Sequence, residues 1–379
     1  MIVERYLDWA ATAPAHMRAE AAGALARSYL HDELDPHVRD SVETALTCAL
    51  DDEHIAVRSA LADAFASSPR APHAIVLSLA QDIPDVADPI LSRSPVLSDL
   101  ELVDVVALGG PRAQAAVAGR RTVSGPLAAA IAEVADARAC ERLARNAGAH
   151  LTRAAAARIA VRHGGDGATR DALISRGDIG PEIREILMRS VAETLQAFVA
   201  GCGWLGVDRA RRAAEEACER GHVTIARAIP DARAFVLHLA GAGLFRPGLA
   251  LRAMLSGDVG LFEAALSALS GQEPARVAGF VQDFEGRGFE ALYMRAGFPR
   301  TALPVFRAAL AAGREAGFAD RDAATLSRRM VERALTACEG SEADVVSLRA
   351  TLRRFAAEAA REEARRALRD VDERVAAAA

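Results

Sequence analysis

The chain contains no lysine, so all 46 of its basic residues are arginine. Arginine presents a planar fork of donors and favours bidentate contacts to carboxylate or phosphate over a point-charge interaction. Aromatic residues are also scarce, at 4% against 51% hydrophobic overall. The apolar mass is therefore mainly Ala, Leu and Val, which suits closely approaching helices better than a strand-rich core. The five cysteines, Cys48, Cys140, Cys202, Cys218 and Cys338, are odd in number and none has CxxC spacing. That pattern argues against a disulfide framework or a zinc ribbon and is read as small buried thiols in a reducing cytoplasm. No apolar run approaches the roughly 18 residues needed to span a bilayer. The first ten residues lack the hydrophobic core of a secretory signal. A net charge of -5 removes the chain-wide basic footprint of a nucleic-acid protein, while leaving room for a local arginine patch.

At 379 residues the chain has room for two or three domains or one extended solenoid. The period-two alternation of a sheet is nowhere sustained, whereas helical spacing is. After Asp35-Pro36, Val38, Val42, Leu46 and Leu50 recur at helical intervals, and Asp51-Asp52 ends the run. A second helix follows with Ile55, Val57, Leu61 and Phe65. The pattern restarts at Ile75, turns at Asp82-Ile83-Pro84-Asp85, and places Val86 in the position of Val57, 29 residues on. Acidic turns followed by Val-Arg resemble the HEAT repeat. In that family the Asp caps a helix and the Arg reaches a carboxylate of the neighbouring repeat. The resemblance implies structural repeat ties at Arg39, Arg58, Asp52 and Asp82.

A second series has a period of 28: Ile131, Ile159 and Leu187, with Val123, Leu151 and Ile179 each eight residues earlier. Ser124 and Thr152 are placed as N-caps, and Pro181 as a first helical residue. Helix pairs of this size cannot bury their apolar faces alone, so stacking is expected. Ser98 or Asp99 should cap a helix through Leu108, which Gly109-Gly110-Pro111 breaks.

The expected fold is all-α: a HEAT-like α-solenoid over 1–196, a second helical subdomain over 197–320, and C-terminal helices over 321–379. A mixed-charge helix is read over Arg209–Arg220. In the tail, Val345, Leu348, Leu352 and Phe355 have helical spacing, as do Leu368, Val371 and Val375. Glu362 with Arg366 and Asp370 with Arg374 form i, i+4 pairs. This helix is either a partner-docking or dimerisation element or a solvated helix folded back on its own domain.

Recognisable catalysis is absent from the pattern. Gly201-Cys202-Gly203-Trp204-Leu205-Gly206 matches GxGxxG by letter, but helical sequence precedes it where a dinucleotide site needs a strand. It reads as a helix-breaking loop with Trp204 packed inward. His163-Gly164-Gly165-Asp166-Gly167 falls where the repeat phase requires a turn. His31 and His37 flank Asp32, Glu33 and Asp35 without helical pairing of the histidines, so no metal is assigned. No cofactor is assigned either. Arginines cluster at Arg112, Arg120 and Arg121, which together could hold an anionic group.

In order along the chain, Asp82-Ile83-Pro84-Asp85-Val86-Ala87-Asp88-Pro89-Ile90-Leu91, Ser94-Pro95-Val96-Leu97-Ser98-Asp99, and Arg142-Leu143-Ala144-Arg145-Asn146-Ala147-Gly148-Ala149 resemble bacterial domain of unknown function 2336. Leu249–Asp258, Phe262–Leu266 and Ala291–Pro299 extend the resemblance, which covers about 30 to 310. It implies a cytoplasmic helical-repeat protein and brings no known active site. The functional expectation is a non-enzymatic scaffold that binds a protein on the concave face of its repeats. The alternatives are a sensor of an anionic small ligand such as a nucleotide, held by the Arg112, Arg120 and Arg121 cluster, and a HEAT-like nucleic-acid protein. The negative net charge counts against the last.

Overall fold

The structure, a computed structural model, describes residues 2–31, 34–316, 323–338 and 343–378. Among them all regular structure is helical: twenty-two α-helices and one 3₁₀ turn, arranged in two compact units, Met1–Val191 and Ala192–Ala379.

The first unit contains α1 (Ile2–Ala10), α2 (Ala15–His31), α3 (Pro36–Ala49), α4 (Ile55–Phe65), α5 (His73–Ala80), α6 (Pro84–Arg93), α7 (Asp99–Leu108), α8 (Pro111–Ala118), α9 (Gly125–Val134), α10 (Ala137–Arg145), α11 (Arg153–His163) and α12 (Gly167–Ser175). The first half of α13 (Pro181–Gly201) also belongs to it. The even-numbered helices from α2 to α12 each pack on the next to form one layer, and α7, α9 and α11 stack in a second. This is the solenoid-like array that the periodicities imply.

Its register follows from buried stripes. Val57, Leu61 and Phe65 of α4 and Val86, Ile90 and Leu91 of α6 are fully buried, as are Ile131 and Ile159; Leu187 of α13 is almost so. Phase is set by the caps. Asp35, Ser98, Ser124, Asp136, Thr152 and Asp166 each accept a backbone N–H from the first turn of the helix they open, and Ser98 forms a reciprocal capping box with Glu101. The loops of successive repeats also touch. Val123 N–H donates to the Gly148 carbonyl at 3.2 Å and His150 N–H to the Val123 carbonyl at 2.8 Å. Gly148 is required there, because a Cβ would stand 1.9 Å from the Arg121 carbonyl oxygen.

The second unit contains the rest of α13, then α14 (Val207–Arg227), α15 (Ala232–Gly241), α16 (Pro247–Leu255), α17 (Val259–Ser270), α18 (Pro274–Gln282), α19 (Arg287–Arg295), the 3₁₀ turn Arg300–Ala302, α20 (Leu303–Ala316), α21 (Ala323–Ala337) and α22 (Ala343–Ala378). Scarce aromatics are concentrated at its centre. Phe262, Tyr293, Phe298 and Phe306 form a cluster with ring centroids 5.1–6.0 Å apart, with Phe289 beside it. Helix α14 runs well past the expected Arg220, because its last two turns bury His222, Val223 and Ala226.

The C-terminal helices expected over 321–379 contribute to the core of the second unit. Leu326, Met330 and Val331 of α21 and Leu352 and Phe355 of α22 share one core with Phe262 and Tyr293. Arg252 of α16 is only 6% exposed; its guanidinium covers Phe355 at 4.4 Å and pairs with Glu219 at 3.0 Å and Glu358 at 2.6 Å. The first half of α22 is thus folded back on its own unit. The side chains of Val345, Val371 and Val375 and the pairs Glu362–Arg366 and Asp370–Arg374 lie outside the described residues.

Candidate functional site

The arginines singled out from the sequence have distinct positions. Arg58 on α4 makes a bidentate pair with Asp82 (Nε–Oδ2 2.6 Å, Nη2–Oδ1 3.2 Å) and donates to the Asp52 carbonyl. Arg18 on α2 makes the equivalent pair with Asp52, at 2.7 and 2.9 Å. Asp52 and Asp82 also accept N–H groups at the turns they occupy, from His54 and Ile83. Arg18 follows Met17 instead of Val, which is why the Val-Arg pattern passed over it. Arg39 differs from the tie expected of it. Its guanidinium lies over the Tyr29 ring, 4.7 Å from the centroid, joining α3 to α2 through a cation–π contact.

The Arg112, Arg120 and Arg121 cluster does not converge on a common site. Arg112 is neutralised by Asp85 and Asp88, both at 2.7 Å. The hydrogen bond to Asp88, then that to Asp85, raises its pKa. Arg120 points inward and donates to the carbonyls of Leu91 at 2.7 Å and Ser94 at 2.6 Å, at the C-terminus of α6. Burial lowers its pKa. Arg112 and Arg121 are both exposed, and of the three only Arg121 has no partner among the described residues.

Counting from the N-caps Gly110, Asp136 and Asp166 explains this division. The tenth position is Arg120, Asn146 and Arg176 in turn. Each caps the C-terminus of the preceding helix in the layer: Asn146 donates to the Ala118 and Arg120 carbonyls, Arg176 to those of Ala144 and Asn146. Donors aimed at the orphan carbonyls of a helix end satisfy those groups, and a cation there also meets the favourable end of the dipole. The second position is Arg112 and Arg138. Arg112 faces Asp85 and Asp88 on α6, whereas the matching positions on α8, opposite Arg138, are Arg112 and Ala115. Arg138 therefore meets no carboxylate on α8.

The result is a basic face on α10. Arg138, Arg142 and Arg145 stand at i, i+4 and i+7 on its exposed side, opposite buried Ala139, Cys140, Leu143 and Ala144. Arg145 pairs with Glu141 at 2.9 Å. Arg138 and Arg142, like Arg121, have no partner among the described residues. Arg142 lies across Gly119 at the end of α8, where a Cβ would fall 2.2 Å from its Nε. Asn146 reaches the same turn, donating to the Ala118 and Arg120 carbonyls. From 109 to 177 the sequence holds eleven arginines against five carboxylates, the reverse of the whole chain's balance.

A family model described as "Uncharacterised protein conserved in bacteria (DUF2336)" matches residues 86–344. The chain belongs to this family. The matched stretch takes in the basic face and most of the second unit, but leaves the HEAT-like signature over Asp35–Asp85 outside it. No curated protein and no solved structure gives a match.

The remaining sequence candidates have structural positions. GxGxxG joins α13 to α14, helix to helix, so the strand that a dinucleotide fingerprint needs is not there. Trp204 is 69% exposed instead of packed inward. Cys202 is likewise exposed, unlike buried Cys140 and Cys338. His163 meets the Ala135 carbonyl and Asp166 caps α12, which accounts for that turn. His31 and His37 are exposed, and Asp32 and Glu33 lie outside the described residues. Among the described residues, no group of three or more His, Cys, Asp or Glu is placed to hold a metal, and no helix is long and apolar enough to cross a membrane.

Proposed function

We propose that the first unit is a non-enzymatic scaffold that takes an acidic segment of a partner protein across the exposed face of α10 and the adjoining end of α8. The observation that carries this is the exposed stripe of Arg138 and Arg142, which have no partner among the described residues. Like charges at i, i+4 oppose helix formation by a few tenths of a kcal/mol, and a bound carboxylate row reverses the sign of that term. Arginine forks suit bidentate carboxylate recognition.

The face is an open helix surface. A nucleotide lying on it would bury little of itself, whereas small-molecule sites are concave; that argues for a macromolecule over the small anionic ligand. Residues 109–177 contain no Phe, Tyr or Trp on which bases could stack, which favours an acidic polypeptide over single-stranded nucleic acid.

A fluorescein-labelled peptide of twelve Asp and Glu residues serves as probe in an anisotropy titration of the full chain. Binding is expected to weaken as salt rises from 50 to 200 mM, and by roughly tenfold or more in Arg138→Glu/Arg142→Glu, because such surface charges act on encounter and salt dependence. Equal binding by the charge-reversed chain would refute the assignment. A single-stranded oligonucleotide that bound more tightly than the peptide would replace it with the nucleic-acid reading.

A further inference from the structure

The turn between α13 and α14 carries an apolar tip that neither the repeat architecture nor the basic face of α10 explains. Leu195 and Phe198 of α13 are each 56% exposed, Trp204 in the turn 69%, and Val207 at the start of α14 67%. Leu195 and Phe198 are three apart and so share one helix face. Phe198 and Trp204 meet edge to face with ring centroids 5.6 Å apart. The turn is held tightly: Cys202 N–H donates to the Phe198 carbonyl, Trp204 N–H to the Val199 carbonyl, and Gly203 takes the left-handed conformation at φ 70°. The two rings are therefore presented as a preformed wedge on a rigid turn.

The start of α14, beside the wedge, is net basic, while exposed Glu193 stands on α13 five residues before Phe198. In its first turn and a half α14 carries Arg209, Arg211 and Arg212 against Asp208, and Asp208 is taken up by Arg211 at 3.0 Å. Arg209 and Arg212 are exposed, with no partner among the described residues.

The size of the patch limits what can cover it. An aromatic side chain offers roughly 150–250 Å², so two half-exposed rings and their two aliphatic neighbours present on the order of 400 Å² in all. A standard protein interface needs about 800 Å² from each partner; the tip falls short of that for a second copy of the chain. A bilayer surface asks for less. Exposed Trp and Phe seat themselves at the headgroup level, and adjacent arginines meet anionic lipid headgroups, which together supply the two signals that stable peripheral attachment requires.

We infer that the α13–α14 tip docks the protein on an anionic membrane surface, with Phe198 and Trp204 entering the headgroup region and Arg209 and Arg212 meeting its phosphates. This is peripheral attachment by a turn, and it is independent of the acidic-segment site on α10.

The chain has two tryptophans, so Trp9→Phe leaves Trp204 as the sole indole reporter. Full-length protein in this background is mixed with vesicles of phosphatidylcholine alone or with 30% phosphatidylglycerol, after circular dichroism has matched it to the parent. The expected result is sedimentation with the anionic vesicles and a blue shift of Trp204 emission on saturation. Phe198→Ala, read by sedimentation, should lower the partition coefficient roughly tenfold, and Arg209→Glu/Arg212→Glu should abolish the preference for anionic lipid. Both substitutions change exposed residues, so the fold is retained. Three results would each overturn the inference: no sedimentation with anionic vesicles, sedimentation that these variants leave unchanged, or Trp204 emission already blue in a lipid-free dimer seen by light scattering. The last would make the tip a contact between copies.

Discussion

Arg120 offers the sharpest division between a binding arginine and a structural one. Its two donors reach the Leu91 and Ser94 carbonyls, at the end of a helix whose remaining carbonyls have no intrahelical partner. Replacing it with Met keeps the aliphatic stem in place and removes only the guanidinium. Hydrogen bonds from a charged donor contribute about 1.5–3 kcal/mol each. Two bonds would give up to about 6 kcal/mol, but two terms reduce this. The burial that lowers the Arg120 pKa is a desolvation cost relieved on substitution, and water can reach part of the freed helix end. We expect a loss of about 2–4 kcal/mol, read as a lower urea midpoint at constant slope in the transition of the first unit. Arg121→Ala, one residue away and exposed, should stay within about 0.5 kcal/mol of the parent. A loss below about 1 kcal/mol in Arg120→Met would refute the cap argument, and the same reasoning for Arg176 and Asn146 would fall with it.

Three further outcomes follow from the same contacts. Arg252→Ala should cost about 3–5 kcal/mol, because Glu219 and Glu358 lose the cation between them; limited proteolysis should then cut within α22 where the parent is resistant. The hydrogen bonds from Arg18, reinforced by the His54 N–H, hold the Asp52 carboxyl below its usual range against the opposing effect of burial. A depressed folded pKa means stability that is present above about pH 4, the ordinary carboxyl range, and lost as pH falls through the lower folded value. Urea midpoints from pH 6 to 3 should therefore fall more steeply in the parent than in Asp52→Asn, and parallel curves would contradict this. Burial pushes the Cys140 thiol up to about 11, whereas Cys202 is exposed; at pH 8 a thiol reagent should modify Cys202 first and Cys140 only after unfolding.

Much of the fold was legible along the chain because helix period, cap residues and repeat length are local properties. Ile131, Ile159 and Leu187 recur every 28 residues and are all buried. Ser98, Ser124 and Thr152 sit where a hydroxyl can meet an N–H of the first turn. The candidate site was less legible. Arg112, Arg120 and Arg121 are neighbours in sequence, yet one is neutralised by α6, one faces inward and one faces solvent. A helix turns about 100° per residue, so adjacent charges diverge in space. Those that share a face, Arg138, Arg142 and Arg145, are spread over eight positions.

By itself, then, the sequence determined an all-helical chain, the phase of its repeats and its place in the domain of unknown function 2336 family, since these depend on spacing within the chain. Only tertiary structure decided which arginines were consumed. Whether a guanidinium is free depends on what the helix packed beside it presents, and Arg138 has no partner among the described residues because Ala115 and Arg112 stand where α6 offers Asp88 and Asp85 to its predecessor. The same holds for Trp204: a Gly-rich turn is visible as letters, but that its indole is 69% exposed instead of packed inward is decided by the folded chain.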